Sequence, residues 1–406
     1  MRDSLPRAPR TFRALRHRNY RLFFAGQLVS LIGTWMQNTA QSWLVYDLTG
    51  SKFLLGAVAA LGSLPMLFFS PLGGALADRL PKRNILLVTQ TVAMLLALTM
   101  AVLVFSGKIQ VWHIAVIAAL GGVVMAFDMP PRQAFVVEMV GKQDLMNALA
   151  LNSSMFNGAR IVGPALAGWL MSRFNLGLCY LLNALSFIAV IVGLRLMRLT
   201  SPSPKPRTES VWRHALSGFA YVWRNKRVRT LLFIVGVAGV FGWSYTVLLP
   251  AFARETLRIG ESGFGAMISA NGVGAMLGAL SVATFGDRMP RERLIVGGLL
   301  WFCLMVTCFA LWRHYPTVLV FLAGAGFGGI TFMSTCNTVL QTSVSDEYRG
   351  RVMGVWALMF AGTSPLGNFQ AGTLGEHLGV TPTVLIGASV CALAAMWVWG
   401  RGSLRT

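Results

Sequence analysis

Residues 53–106 read FLLGAVAALGSLPMLFFSPLGGALADRLPKRNILLVTQTVAMLLALTMAVLVFS, which is two apolar runs separated by a short charged loop. A helix needs about 20 mostly apolar residues to cross a membrane, because each residue adds about 1.5 Å across a hydrocarbon core of about 30 Å. Both runs reach that length. We therefore interpret this stretch as a helical hairpin that crosses a membrane twice.

The same pattern continues along the whole chain. Of its 406 residues, 55% are hydrophobic and only 12% are charged, whereas a soluble domain has about a quarter of its residues charged. The composition therefore predicts an all-α polytopic membrane protein. Counting apolar runs of membrane length predicts twelve spans, at 20–46, 53–76, 84–106, 111–128, 146–171, 176–196, 230–252, 263–285, 294–312, 317–340, 351–374 and 380–399.

The basic residues predict the orientation of these spans. One alternate set of loops, together with both termini, holds 28 Lys and Arg residues, and the opposite set holds six. Loops rich in Lys and Arg stay in the cytoplasm, so both termini are predicted to be cytoplasmic, in a cytoplasmic (inner) membrane. The formal charge of +21 is thereby explained by topology, and we expect no nucleic-acid partner.

The chain also contains an internal repeat. DRLPKR at 78–83 follows the second span, and DRMPRER at 287–293 follows the eighth span, 209 residues later. Two repeated halves that flank a mid-membrane cavity are a transporter architecture. The predicted organisation is a basic cytoplasmic N-terminus (1–19), a six-helix bundle (20–197), a cytoplasmic linker with an amphipathic helix (198–229), a second six-helix bundle (230–400) and a cytoplasmic tail (401–406).

These stretches carry a family resemblance. Residues 74–83 match the Gly-x-Leu-x-Asp-Arg-x-x-x-[Arg/Lys] loop of the major facilitator superfamily, and residues 158–168, GARIVGPALAG, resemble the Gly-Pro motif of its export branches. Residues 25–51 and 127–140 look most like the enterobactin-exporter-type efflux group. The resemblance implies the major facilitator fold, in which twelve transmembrane helices form two pseudo-symmetric six-helix bundles around a central cavity.

The loop motif and the fifth-span motif supply the first candidate residues. A glycine at position 74 allows close helix approach, and the carboxylate of Asp78 suits the positive N-terminus of a neighbouring helix. The resemblance implies that this gating motif locks the two halves together on the cytoplasmic side when the cavity opens outward; the alternative is a plain positive-inside loop. The candidates are Gly74, Asp78, Arg79, Arg83, Asp287 and Arg288 for gating, and Gly158, Gly163, Pro164 and Gly168 in the fifth span.

Polar residues inside the spans are candidates for the substrate cavity, because ionisable groups at the centre of a bilayer cost about 2.5–3.5 kcal/mol or more. Arg160 forms a helical stripe with Ser153 and Asn157. It could contact the substrate or form an ion pair with Asp128. A polar face on the first span could line the cavity or form interhelical hydrogen bonds. The predicted cavity residues are Thr34, Gln37, Asn38, Gln41, Asn157, Arg160, Asn271, Asn337, Gln341 and Asn368.

The energy source is constrained by what the chain lacks. It contains no Gly-x4-Gly-Lys-[Ser/Thr] loop for ATP, so transport would use an ion gradient or be passive. Drug–proton antiporters usually carry an arginine in the fourth span, and the corresponding position here is about Ile117. Proton coupling would therefore use another group. The candidates are Asp128, with Arg132 four residues later, Asp47 and His113.

The predicted function is export of an amphipathic, siderophore- or drug-like small molecule by alternating access and proton antiport. A lysolipid mover or an importer on the same fold is the alternative, followed by a non-transporting receptor or scaffold. We expect no enzyme activity, cofactor or metal site, because nucleophile–base spacings and metal clusters are missing. The expected partners are the substrate, protons and the lipid bilayer, and the expected state is a monomer.

Overall fold

The computed structural model describes residues 10–198 and 220–402, and all regular structure in these ranges is helical. The 63-residue stretch Val111–Arg173 counts as two spans because it is interrupted at Gly141. The helices are α1 (Arg18–Thr49), α2 (Lys52–Arg79), α3 (Lys82–Phe105), α4 (111–140), α5 (142–173), α6 (Leu176–Leu196), α7 (Lys226–Thr256), α8 (Glu261–Phe285), α9 (Arg291–Leu311), α10 (Tyr315–Ser343), α11 (Asp346–Ala361 and Ser364–Leu378) and α12 (Val380–Gly400).

Nine helices in the described ranges meet the length and hydropathy of a membrane span, with Val111–Arg173 counted once. The first and eleventh predicted spans are not among them. Helix α1 carries the polar face predicted from the sequence, and the two segments of α11 have only 16 and 15 residues. The predicted linker at 198–229 falls largely outside the described residues.

The boundary between α4 and α5 lies beyond the predicted fourth span. That span was predicted at 111–128 from its apolar run. The helix itself continues through Pro130 and Pro131 to Gly141, whose φ of 69° and ψ of 175° end it. Only glycine adopts such a positive φ readily, so one residue makes the whole turn.

The two halves, α1–α6 and α7–α12, meet along two seams, α2 against α11 and α5 against α8. Glycines permit this approach. A Cβ atom built on Gly372 would lie 2.7 Å from the Cα of Gly56, and one built on Gly265 would lie 2.9 Å from the Cα of Gly168. Small residues at helix contacts allow close backbone packing in membranes. We call the end of the bundle that carries Arg79 the inner end and the end that carries Lys52 the outer end, following the predicted orientation.

Candidate transport pathway

A cavity of about 510 Å³ lies within the first half of the molecule, between α1, α2, α3, α4 and α6. The second half contributes only Thr246 and Val247 from α7. One wall is the polar face of α1, and the facing walls from α2 and α4 are largely apolar. The structure places four predicted residues on this polar wall, together with two serines: Ser30, Thr34, Gln37, Asn38, Gln41 and Ser42.

A buried carboxylate lies in the wall of this cavity. The side chain of Asp128 is 2% exposed and forms an ion pair with Arg132 one turn later. It also accepts hydrogen bonds from the Thr89 hydroxyl (2.7 Å) and from Nε2 of Gln90 (2.8 Å). Arg132 in turn donates to Oε1 of Gln27 at 2.9 Å. The negative charge is therefore fully partnered inside the first half.

Several of these partners were missed by the sequence analysis. Gln27, Thr89 and Gln90 bond the Asp128–Arg132 pair, and Asn183 donates to Oε1 of Gln37 at 2.6 Å. Gln27 and Asn183 are single polar residues within apolar runs, and Thr89 and Gln90 belong to a short polar step, TQT at 89–91, in the third span. On α1 a signal did exist, because the polar positions continue at helical spacing through Gln27, Ser30, Thr34, Gln37 and Gln41.

Arg160 lies at the seam between the halves. Its Nη2 donates to Oδ1 of Asn271 on α8 at 2.6 Å, and its Cζ lies 5.9 Å from the centre of the Trp35 ring. Asn271 is itself fixed, because its Nδ2 donates to the Tyr245 hydroxyl (2.8 Å) and to a backbone carbonyl (3.2 Å). The ion pair of Arg160 with Asp128 that the sequence left open is not formed, since Asp128 is bound to Arg132.

The remaining polar candidates do not line the cavity. Asn157 donates to a carbonyl of its own helix, and Nε2 of Gln341 donates to Oδ1 of Asn337 at 2.6 Å. Asn368 is half-buried on α11, beside the glycine seam with α2. His113 accepts a hydrogen bond from the backbone N–H of Gln110 at 3.1 Å and so caps the start of α4.

The first gating loop is exposed at the inner end. Asp78 and Arg79 are exposed, and no hydrogen bond or ion pair joins the side chain of Asp78 to another residue in the described ranges. The close approach predicted at Gly74 is absent from this structure, because a Cβ atom there would meet no atom within 4 Å. Arg83 donates to the carbonyl of Arg195 at 2.8 Å and ties α3 to α6 within the first half.

In the second gating loop, the described contacts of Asp287 and Arg288 are local. A carboxylate oxygen of Asp287 lies 4.0 Å from the guanidinium of Arg291, and the guanidinium of Arg288 lies over the Phe285 ring at 5.4 Å. Both contacts stay within the second half.

The fifth-span glycines have two different surroundings. A Cβ on Gly163 would lie 2.6 Å from the Cβ of Trp35, so this residue allows α1 to pack against α5. Gly168 and the carbonyl of Pro164 contact Gly265 of α8, at the seam between the halves. No atom lies within 4 Å of a Cβ built on Gly158. The motif therefore positions α5 against two neighbours.

Charged side chains join the halves at the outer end. Glu255 of α7 accepts from Nζ of Lys52 at 2.6 Å and from the hydroxyl of Tyr46. Arg254 forms an ion pair with Asp47, the residue predicted as a proton-coupling candidate. The sequence did carry a signal for these contacts. Acidic residues are scarce in this chain, and Asp47 and Glu255 lie at the ends of spans.

A further acid contributes on α11. Glu376 accepts a hydrogen bond from the backbone N–H of Phe53 (3.0 Å) and one from the hydroxyl of Ser51 (3.1 Å) at the start of α2. We call the whole group the outer cluster. It comprises Tyr46, Asp47, Ser51, Lys52, Arg254, Glu255 and Glu376.

Comparisons with known proteins agree with this architecture. The family model described as transmembrane secretion effector, a group within the major facilitator superfamily, matches residues 10–405. The chain belongs to this family. It is 27% identical to the multidrug efflux pump Tap of Mycolicibacterium fortuitum, over 90% of this chain and 91% of that protein. It is 24% identical to the staphyloferrin A transporter of Staphylococcus aureus, again over 90% and 91%.

The fold has known counterparts as well. The crystal structure of the nucleoside transporter NupG superposes with a TM-score of 0.72 and 16% sequence identity, over 97% of this chain and 99% of that one. At this level of identity, the match establishes the fold alone. The protein is thus a multi-pass membrane transporter with the major facilitator fold, as the sequence predicted.

Proposed function

We propose that this transporter exports an amphipathic small molecule, of drug or siderophore size, across the cytoplasmic membrane by alternating access. The observation that carries the proposal is the cavity of about 510 Å³ with one polar and one apolar wall. Such a cavity suits a molecule with one polar edge and an apolar body. The efflux pump and the siderophore transporter among the relatives support the same class of substrate.

The outer cluster suggests which state of the transport cycle the structure represents. Its contacts join α1 and α2 to α7 and α11 at the outer end, while the gating residues Asp78 and Arg79 are exposed at the inner end. We interpret the structure as an inward-facing state. In an exporter, this is the state that takes up substrate from the cytoplasm.

We further propose that Asp128 exchanges the proton of an antiport cycle. Asp128 borders the cavity, although its side chain is only 2% exposed, so a small local opening would bring the carboxylate into contact with the cavity. Protonation would remove the charge that holds Arg132, and would therefore alter the contact between that guanidinium and Gln27 of α1. A proton could thus be linked to movement of the cavity wall. The family motifs place the protein among transporters, but they do not include Asp128. Its role in proton exchange is therefore our own proposal.

Transport into inside-out vesicles tests the export proposal. With the cavity facing the bath, wild-type protein should accumulate an amphipathic dye when the lumen is acidified. Gln37→Ala should weaken dye affinity, because Gln37 belongs to the polar wall. A matched Gln143→Ala change, at an exposed position on α5, should behave as wild type. Uptake only in right-side-out vesicles would establish import instead, and movement of lysolipid but not dye would establish the lysolipid alternative.

The proton step has its own test. Asp128→Asn should retain dye exchange down a dye gradient but lose accumulation driven by a pH gradient, since exchange needs no proton. Accumulation that persists in a folded Asp128→Asn protein would remove Asp128 from the coupling mechanism.

The orientation is tested by labelling single cysteines in a cysteine-free background. Ser106→Cys lies in an exposed loop at the outer end, and Gln143→Cys is exposed at the inner end. In intact cells, an impermeant maleimide should label the first and spare the second. The reverse pattern would invert the predicted topology. The mass of the purified particle would test the expected monomer.

A further inference from the structure

Arg132 on α4 and Arg160 on α5 lie on consecutive helices of the first half, and of these two only Arg132 has its charge compensated by a described residue. Arg132 pairs with the carboxylate of Asp128. Arg160 makes no ion pair with a described residue, and its one hydrogen bond goes to the neutral side chain of Asn271. A guanidinium has five N–H donors, so most of its donors are unused. Ionisable residues within spans are rare and commonly lie on substrate pathways.

The surroundings of Arg160 form a built site. Asn271 presents its oxygen to the guanidinium because its amide nitrogen is engaged by Tyr245 and by a carbonyl of α10. The ring of Trp35 lies on α1, 5.9 Å from Cζ of Arg160. No side-chain nitrogen of Arg160 is both fully buried and without a hydrogen-bond partner. Its N–H groups without a protein partner are therefore not sealed from solvent, although Arg160 lies at the seam and is not among the residues that line the cavity.

A purely structural role does not account for the charge. A neutral donor such as glutamine could hydrogen-bond the Asn271 oxygen without placing a cation in the membrane, which costs about 2.5–3.5 kcal/mol or more. The planar guanidinium adds a bidentate fork that matches a carboxylate. Its position at the seam means that a bound anion would contact α5 directly, beside α8 of the other half.

We propose that Arg160, oriented by Asn271 and flanked by Trp35, is a subsite for a carboxylate or similar planar oxyanion on the transported molecule. The proposal rests on the proposed function and narrows its substrate class to molecules that carry such a group. The aromatic ring beside the guanidinium favours an anion attached to a flat apolar body.

Binding to the purified protein in lipid nanodiscs tests this site without requiring transport. The probe pair is 2-naphthoate and 2-naphthamide, which share size and shape and differ in charge. Wild type should bind the carboxylate roughly tenfold more tightly than the amide, because hydrogen bonds to charged groups are the stronger ones. Arg160→Gln should abolish this preference, and Arg160→Lys should reduce it.

Two further variants keep the test decisive. Arg173→Gln makes the same change at an exposed position on the same helix and should keep the wild-type preference. Asn271→Asp places a carboxylate of nearly the same shape beside Arg160, so it should remove the preference even if Arg160→Gln fails to fold. Equal binding of both probes by wild type, or a preference that survives in a folded Arg160→Gln or Asn271→Asp protein, would overturn the subsite.

Failure of the subsite is distinguishable from failure of the export proposal. Dye export with no naphthoate preference would refute only the anion subsite. A naphthoate preference that depends on Arg160, in a protein that exports neither dye nor carboxylate, would refute only the proposed function.

Discussion

The outer and inner ends of the bundle differ in how they hold the two halves. At the outer end, Lys52 and Glu255 pair across the halves, and Glu376 of α11 accepts a hydrogen bond from the start of α2. At the inner end, the ion pairs of Lys82 with Glu138 and of Arg291 with Asp287 each stay within one half. The charged contacts between the halves that are described for residues 10–198 and 220–402 lie at the outer end.

The contacts at the outer end would bias the two access states by only a modest free energy. Exposed ion pairs contribute about 0.2–1 kcal/mol each, so a cluster of a few can bias the halves without fixing them. Glycine packing at the α2–α11 seam adds an apolar contribution at the same end. If the inner gating loop makes comparable contacts in the other state, a transporter can cycle between them.

The largest expected effect comes from the glycine seam. Gly372→Ala would place a Cβ atom 2.7 Å from the Cα of Gly56, and overpacking of this kind costs about 1–3 kcal/mol. We expect lower thermal stability and greater accessibility of the outer end to impermeant thiol reagents. Gly297→Ala, where no atom lies within 4 Å, is the matched control. If Gly372→Ala left thermal stability and thiol accessibility unchanged, the α2–α11 seam would be shown to accommodate the added methyl group.

Asp78→Asn is expected to have the next largest effect. The carboxylate has no described ionic partner in this state, so stability should be unchanged, whereas the other state should lose an interaction with a helix terminus worth up to about 2 kcal/mol. Transport should therefore fall roughly tenfold at normal expression. Asp287→Asn in the second copy of the loop should have a smaller effect. Normal efflux by Asp78→Asn would show that the inner gating loop does not stabilise the other state in the way that the outer cluster stabilises this one.

Glu255→Gln should shift the equilibrium moderately toward the state open at the outer end. It removes the ion pair with Lys52, and a loss of about 1 kcal/mol corresponds to roughly a fivefold change in population. Thiol labelling of an outer-end cysteine should rise accordingly. The charge exchange Lys52→Glu with Glu255→Lys should restore the wild-type labelling rate. If Glu255→Gln left labelling unchanged and the charge exchange did not restore it, the pair would not bias the states.

Asp47→Asn should have the smallest effect. Its ion pair with Arg254 is about half exposed on both sides, and such pairs contribute at most about 1 kcal/mol before screening by salt. Proton-driven transport should remain within twofold of wild type. A loss of coupling in this variant would move the proton site from Asp128 to the outer cluster.

The sequence predicted those features that depend on local spacing. The twelve spans followed from apolar runs, and the polar wall of α1 followed from positions 34, 37, 38 and 41 on one helix face. Contacts between distant positions could not be foreseen. Glu255 meets Lys52 across 203 residues, and Thr89 bonds Asp128 across 39. The apolar run of the fourth span ends at residue 128 and gave no indication that helix α4 continues past Pro130.

The confinement of the cavity to the first half has a consequence for how new specificities arise. Nearly every residue that would touch the substrate is encoded between codons 30 and 187, with only Thr246 and Val247 beyond them. Selection for export of an unfamiliar compound should therefore collect substitutions in the first half of the gene. Recombination near the linker would exchange the recognition surface as one block, and leave the partner half to adapt only at the seams.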